Sequence, residues 1–230
     1  MSVVIAAFNE APVIGDVVRR ARAACAAAEI VVVDDGSEDS TSAVARDAGA
    51  KVVRLPENRG KGHAVRAGLE VASGDVVVLI DGDGQDDPAE IPLLLTALRE
   101  GADLAIGSRF LGHFEPGAIT GLNRMGNQFL TGVVNALYGV RLTDTQAGFK
   151  AIRRSKLEQL RLHASRYDIE VDLLLSVLSL GWRVADVPVR RAPRTHGASH
   201  LNSFVDGTRI FLRIVRMRVQ SRRTPSSHSY

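Results

Sequence analysis

The sequence predicts an α/β fold, with a mostly parallel central sheet covered by helices on both faces. Three observations predict it. Short β-branched runs alternate with longer helical patterns from Ser2 onward. The apolar runs end repeatedly in polar or acidic loops, Phe8-Asn9-Glu10, Asp35-Gly36-Ser37 and Asp81-Gly82-Asp83-Gly84-Gln85. The chain has 230 residues and 45% hydrophobic content, enough for the core of one large domain.

The expected strands are Ser2–Ala7, Ile30–Asp34, Lys51–Arg54, Val76–Ile80 and Asp103–Ile106. Between them lie helical patterns at Ala11–Ala28, Ser40–Ala48, Lys61–Ala72 and Pro88–Arg99. Asp87 is placed to cap the last of these, with Pro88 at its first position. The pattern is less regular after Ser108: a glycine-spaced helix at Leu122–Tyr138, a strand at Gly148–Ile152, a helix at Ile169–Leu180 and a strand at Arg183–Val189. No Pro/Gly/Ser-rich linker precedes Thr224. Residues 1–202 therefore read as one domain, 203–223 as a basic amphipathic helix and 224–230 as a disordered tail.

Charge, cysteine and hydropathy exclude several classes. The net charge is +3, but six of the 29 Lys and Arg residues follow Thr208 and no acidic residue follows Asp206. Residues 1–208 thus carry a net −3, which argues against a nucleic-acid-binding body and for a local basic contact at the C-terminus. The single cysteine, Cys25, excludes a disulfide framework and suits a reducing compartment. The first apolar run has no basic leader and reads as a strand, so no export is expected. No run of 18 apolar residues occurs. A cytoplasmic location, peripheral at most to the membrane, is expected.

In parallel sheets the loops at the carboxyl ends of the strands form the binding crevice. Asp81 and Asp83, separated by Gly82 at the end of VVVLI, put two carboxylates within reach of one ion. Hard oxygen ligands suit Mg²⁺ or Mn²⁺, which completes its shell with water and substrate phosphates. An EF-hand calcium loop fails where Asp86 and Pro92 replace its glycine and glutamate. A solvated acidic turn capping the next helix stays open as an alternative. Asp34 and Asp35 offer acceptors for nucleobase or ribose donors, although Gly36 and Asp39 also suit a plain turn and cap. Lys61 between Gly60 and Gly62 at a helix start suits an anion, without the spacing of a P-loop or a dinucleotide fingerprint.

In order and spacing, AAFNE, VVDDGSEDST, NRGKGHAVRAG and DGDGQDDP resemble the inverting family-2 glycosyltransferases of the GT-A fold, and within them the dolichyl- and polyprenyl-phosphate sugar transferases. The resemblance implies a Rossmann-like nucleotide-diphospho-sugar transferase fold and a hexosyltransferase, like the dolichyl-phosphate mannosyltransferases, that uses a UDP- or GDP-sugar with Mg²⁺ or Mn²⁺. It places Ala7, Asn9, Glu10, Asp34, Asp35, Lys61, Asp81, Gly82 and Asp83 at the donor, and Asp81, Asp83 and Gln85 at the metal. It places Ser108, Arg109, Arg124 and Asn127 at an acceptor phosphate, with Asp83, Arg109 and Arg124 as the catalytic set. RRAPRTHGASH resembles the family's loop over the donor diphosphate, bringing in Arg194, His196, Ser199 and His200, with His200 where lysine or arginine is usual.

A lipid-phosphate acceptor is already anionic and needs no strong base, whereas a sugar hydroxyl needs a carboxylate to take its proton. The family's base often lies in an Glu-Asp pair. RYDIEVDLL offers Asp168, Glu170 and Asp172 without an adjacent pair, which tilts the expectation toward phosphate, with Glu170 or Asp172 as the base for a hydroxyl acceptor. A nucleotidyltransferase or sugar-nucleotide-binding protein is the remaining class, disfavoured because AAFNEAPV lacks a glycine-rich basic loop. At the C-terminus Arg209, Arg213 and Arg216 fall on one helical stripe while Phe211, Ile214 and Val215 face away, a pattern suited to an anionic membrane surface or to packing on the domain.

Overall fold

The computed structural model describes residues 1–164, 166–197 and 203–223. Strands β1 (Ser2–Ala7), β2 (Glu29–Asp34), β3 (Lys51–Arg54), β4 (Val76–Asp81), β5 (Leu104–Phe114), β6 (Lys150–Arg153) and β7 (Val184–Arg191) form one sheet in the order β3-β2-β1-β4-β6-β5-β7. The helices are α1 (Ala11–Ala24), α2 (Thr41–Asp47), α3 (Lys61–Val71), α4 (Ile91–Arg99), α5 (Gly121–Tyr138), α6 (Arg154–Leu157), α7 (Ile169–Ser179) and α8 (Ser203–Arg223).

The middles of β1, β2 and β4 are apolar on both faces because both faces are covered. Val3, Ile5, Val32, Val78 and Ile80 pack with α1 and α4 on one side, while Val4, Val31, Val33, Val77 and Leu79 pack with α3 and α7 on the other. The period of two in each strand divides the side chains between these layers. Parallel register brings Ala7 beside Asp34 and Ala6 beside Asp81, so the polar strand ends expected from sequence share one edge of the sheet. The Asp87 carboxylate accepts the Ala89 N–H at 2.8 Å and caps a 3₁₀ turn over Pro88–Glu90 that leads into α4.

The second half departs from expectation in two ways. β6 lies antiparallel between β4 and β5, so the sheet is mixed at this point. β5 runs on to Phe114 rather than ending near Ile106, paired with β7 across a register shift between Ser108 and His113. A bulge of this kind re-aims side chains beside a site. α8 docks through Ile210 and Ile214 against Leu130 and Val134 of α5 and Val171 and Leu175 of α7. That packing is one of the two uses expected for α8, and it departs from the expected arginine stripe at Arg213. Ile214 is core, and Arg213 turns inward to Asp168 (2.8 Å) and Asp172 (2.9 Å).

Candidate active site

The aligned strand ends, α5, the Arg166–Glu170 segment and the start of α8 enclose a cleft of about 1280 Å³. Its floor begins where Asp35 stabilises the turn before α3. The two oxygens of Asp35 accept the N–H groups of Arg59 (2.9 Å) and Gly60 (2.8 Å), and Gly60 has φ +93°, a conformation that favours glycine. Burial raises the Asp35 pKa above its ordinary value against those two bonds.

The turn delivers Lys61 to a chain of buried charges. The Lys61 Nζ lies 2.5 Å from Asp81 Oδ1 and 2.6 Å from Glu170 Oε1, and the fully buried Lys150 reaches Glu170 Oε2 at 2.9 Å. Burial alone would lower the Lys61 pKa, but Asp81 and Glu170 outweigh it and raise it. Burial likewise opposes charge on Asp81, yet Lys61 and Arg191 bring its pKa down to about 2. Gly148 lies directly over this pair: a Cβ there would be 2.9 Å from both Lys61 Nζ and Asp81 Oδ2. The backbone therefore crosses the ion pair at a position with no room for a side chain.

Asp83 is the buried centre of a second cluster. Its Oδ2 accepts from Arg194 Nη2 at 2.8 Å and its Oδ1 from the Gln85 N–H at 3.1 Å, while Arg194 Nη1 donates to Glu10 Oε1 at 2.8 Å. Burial raises the Glu10 pKa in spite of Arg194. Arg191 pairs with Asp86 at 2.7 Å and donates to Gln85 Oε1 at 3.0 Å. Gln85 Nε2 donates to the Ala192 carbonyl at 2.9 Å, which ties the DGDGQ loop to the end of β7.

Asp81 and Asp83 bring hard carboxylate oxygens whose cationic partners are side chains, Lys61 on one and Arg191 and Arg194 on the other. Among the described residues no three carboxylate, imidazole or thiolate groups converge into a metal cage. This donor set fits Mg²⁺ or Mn²⁺ sharing its shell with a diphosphate and water, and does not fit a closed structural site.

Arg109 projects from the bulge in β5 and lines the same cleft. Its Nε and Nη2 form a bidentate pair with the buried Asp144, at 2.6 and 2.9 Å. Burial disfavours the Arg109 charge, and Asp144 more than offsets it. Asn127 and Gln146 line the same region, with Arg166 and Tyr167 between it and Glu170. The outer wall is apolar, formed by Phe114, Ile119, Leu122, Met125, Phe129 and Phe211.

Ala7, Glu10, Asp35, Lys61, Asp81, Gly82, Asp83, Gln85, Arg109, Asn127, Glu170 and Arg194 all line the cleft. Other expected residues do not. Asp34 is fully buried behind it, accepting from the Ser37 N–H (2.8 Å) and the Ser42 hydroxyl. Asn9, at φ 54°, accepts the Glu38 N–H and holds the neighbouring loop. Ser108 is bonded to Thr143 at 2.6 Å, inside the protein. Arg124 is exposed and lies over the rings of Phe110 and Phe114, 5.9 and 5.7 Å from their centroids. Asp172 accepts the N–H groups of His163 and Ala164 and pairs with Arg213, a structural role in place of a base. His196 is exposed and does not line the cleft, while Ser199 and His200 lie outside the described residues. Sequence reasoning missed Asp144, Lys150, Arg191 and Tyr167. The run TDTQAGFK carried the first two, as a charge at each end of a turn with no regular period.

Residues 2–161 match the model of glycosyl transferase family 2. Glycosyltransferase AglJ of Haloferax volcanii is 34% identical over 211 residues, spanning 91% of this chain and 69% of that relative. Polyprenol monophosphomannose synthase of Mycolicibacterium smegmatis is 33% identical over 216 residues, spanning 87% of this chain and 80% of the relative. Among solved structures, glucosyl-3-phosphoglycerate synthase of Mycobacterium tuberculosis in complex with Mn²⁺ and UDP-glucose matches with a TM-score of 0.74 and 27% identity, over 98% of this chain and 80% of that one. The same enzyme is known with Mn²⁺, UDP and glucosyl-3-phosphoglycerate.

Proposed function

The chain belongs to glycosyl transferase family 2 and is a glycosyltransferase of the GT-A fold, and from that premise we propose that it moves a hexose from a UDP- or GDP-sugar to a polyprenyl or dolichyl phosphate, with inversion. The observation that carries the choice of acceptor is that every carboxylate lining the cleft is already engaged. Glu10 and Asp83 hold Arg194, Asp35 accepts two backbone N–H groups, Asp81 holds Lys61, and Glu170 has one oxygen on Lys61 and the other on Lys150. A sugar hydroxyl needs a free base within hydrogen-bond reach; a phosphate oxygen does not. Arg109 supplies a further cation lining the cleft, suited to an anionic acceptor.

At the donor, Asp81, Asp83 and Gln85 would hold Mg²⁺ or Mn²⁺, which supplies charge neutralisation to the departing diphosphate. Arg194 and Lys61 add cations from the protein at the same place. Glu10 and the Asp35-braced turn bound the nucleotide end. The Mn²⁺ and UDP-sugar held by the Mycobacterium tuberculosis enzyme and the product named for the Mycolicibacterium smegmatis relative support this reading.

A peripheral contact with an anionic, cytoplasmic membrane face forms part of the proposal. No helix among the described residues is long and apolar enough to cross a membrane. The wall of the cleft does carry exposed apolar side chains: Leu122, Met125 and Phe129 on α5 are 59, 64 and 61% exposed, and outside the cleft Leu212 on α8 is 61% exposed. Arg209 and Arg216 flank them on α8.

The test is a panel of UDP- and GDP-sugars offered with polyprenyl phosphate and Mg²⁺ or Mn²⁺, scored for lipid-linked product. Product is expected with one sugar, and about 10³-fold less of it with Asp83→Ala or in metal-free buffer. Full activity in either would overturn the metal assignment.

A further inference from the structure

Arg109 is the cleft cation whose orientation is most completely specified. It leaves β5 at the bulge, where Ser108 Oγ accepts the Leu111 N–H at 3.0 Å and bonds to Thr143 Oγ1 at 2.6 Å. Thr143 is anchored in turn by Asp186, which accepts its N–H at 2.5 Å and its hydroxyl at 2.6 Å. Asp144, next in the chain and fully buried, accepts the Arg109 N–H at 3.2 Å as well as its Nε and Nη2. The Gln146 N–H donates at 3.3 Å to Asp144 Oδ1, the oxygen that also accepts Arg109 Nη2. Residues 143 and 144 thus clamp residues 108 and 109 from a separate loop.

The clamp uses one edge of the guanidinium. Nε and one N–H of Nη2 point to Asp144, and Arg109 makes no other hydrogen bond among the described residues, so Nη1 and the second Nη2 proton have no protein partner. The side chain nevertheless lines the cleft and is only 12% exposed. A guanidinium held by one edge presents its remaining N–H groups as a fixed fork, and that geometry matches two oxygens of a phosphate.

We propose that Asp144 is a positioning residue for acceptor recognition: it fixes the plane of Arg109 so that the free edge of the guanidinium receives the phosphate of the acceptor. The inference rests on the phosphate-acceptor reading above. Asp144 itself lies behind Arg109, and Lys61, Arg191 and Arg194 pair with other carboxylates, Asp81, Asp86 and Asp83.

The experiment uses the full chain and farnesyl phosphate, a soluble isoprenyl phosphate, as the varied acceptor at fixed nucleotide sugar and metal. Asp144→Asn is near-isosteric and retains one oxygen to accept from Arg109, and its folded state is checked by circular dichroism before kinetics. It should raise the acceptor KM by about 10- to 100-fold while the donor KM stays within about twofold. Arg109→Lys should do the same, and the double variant should be no worse than either single one. Equal rises in donor and acceptor KM, or an unchanged acceptor KM in Asp144→Asn, would overturn the positioning role.

A second readout is independent of turnover. In the folded native chain the Arg109 Nε–H should exchange slowly with solvent in ¹⁵N-edited NMR, and in Asp144→Asn it should exchange faster by about tenfold or more. Farnesyl phosphate should perturb the Arg109 resonance in the native chain and not in Asp144→Asn. Unchanged exchange would refute the clamp. Slow exchange in the native chain with no response to farnesyl phosphate would refute the phosphate-acceptor reading instead.

Discussion

The two ends of the cleft are built on opposite principles. At the strand-end side, Lys61, Lys150, Arg191 and Arg194 interlock with Glu10, Asp81, Asp83, Asp86 and Glu170 in a largely buried lattice of opposite charges. At the mouth, between α5 and α8, Leu122, Met125 and Phe129 are exposed, and among the described residues Arg124 lies over the faces of two phenylalanines. On the proposed function, the difference would separate recognition of a polyanion, which needs fixed charge in a low-dielectric site, from admission of a molecule with an apolar part, which needs surface and little order.

That contrast predicts unequal tolerance to substitution. Lys61→Met leaves the Asp81 and Glu170 carboxylates short of a cation, so it should cost about 3–5 kcal/mol in chemical unfolding. Arg124→Ala removes an exposed cation–π contact and should cost less than about 1 kcal/mol. Similar losses for the two would erase the distinction between the ends.

Function should divide in the reverse sense. Phe129→Ser stacks less surface on Phe211, 6.3 Å away between ring centroids, and removes apolar area from the mouth. Binding to anionic vesicles at low salt should fall by about tenfold, with melting temperature nearly unchanged. Vesicle binding that is absent in the native chain would remove the membrane contact from the proposal.

Arg194 gives a subtler comparison, because its guanidinium occupies oxygens of Asp83 and Glu10, both of which line the cleft. In Arg194→Ala, Mn²⁺ alone should bind several-fold more tightly, read by its electron paramagnetic resonance signal, while donor turnover falls. Weaker Mn²⁺ binding would indicate that Arg194 orders the site instead of competing for it.

The smallest effect concerns acid. Asp81 has its pKa lowered from 3.8 to about 2, so its contribution to stability is complete above pH 3.8 and is lost as the pH falls toward 2. The stability difference between the native chain and Asp81→Asn should shrink across that window.

Legibility in the sequence follows the same divide. The first four strands and the motifs at their ends were readable because each is local: an apolar run, then its loop, then a helix. Ser2–Ala7 and Lys51–Arg54 agree residue for residue. The second half relies on partners far apart in sequence. Arg109 meets Asp144 across 35 residues, and Lys61 meets Glu170 across more than a hundred, without any periodic signal. The continuation of β5 through GSRFLGHF shows no clean alternation, because pairing with β7 across a bulge maintains it. The inward turn of Arg213 was illegible for the same reason, since its partners lie on and beside α7. Asp34 looked functional because it ends a strand beside Asp35; only the fold reveals that its oxygens point to Ser37 and Ser42.

The most direct measurement offers the chain two acceptors that differ only in the reacting group, polyprenyl phosphate and the corresponding polyprenol, with the same nucleotide sugar and Mg²⁺ or Mn²⁺. With each cleft carboxylate committed to a cation or a backbone N–H, transfer is expected to the phosphate alone. Comparable transfer to the free alcohol would require a base that this cleft does not present, and would contradict the assignment of its acceptor.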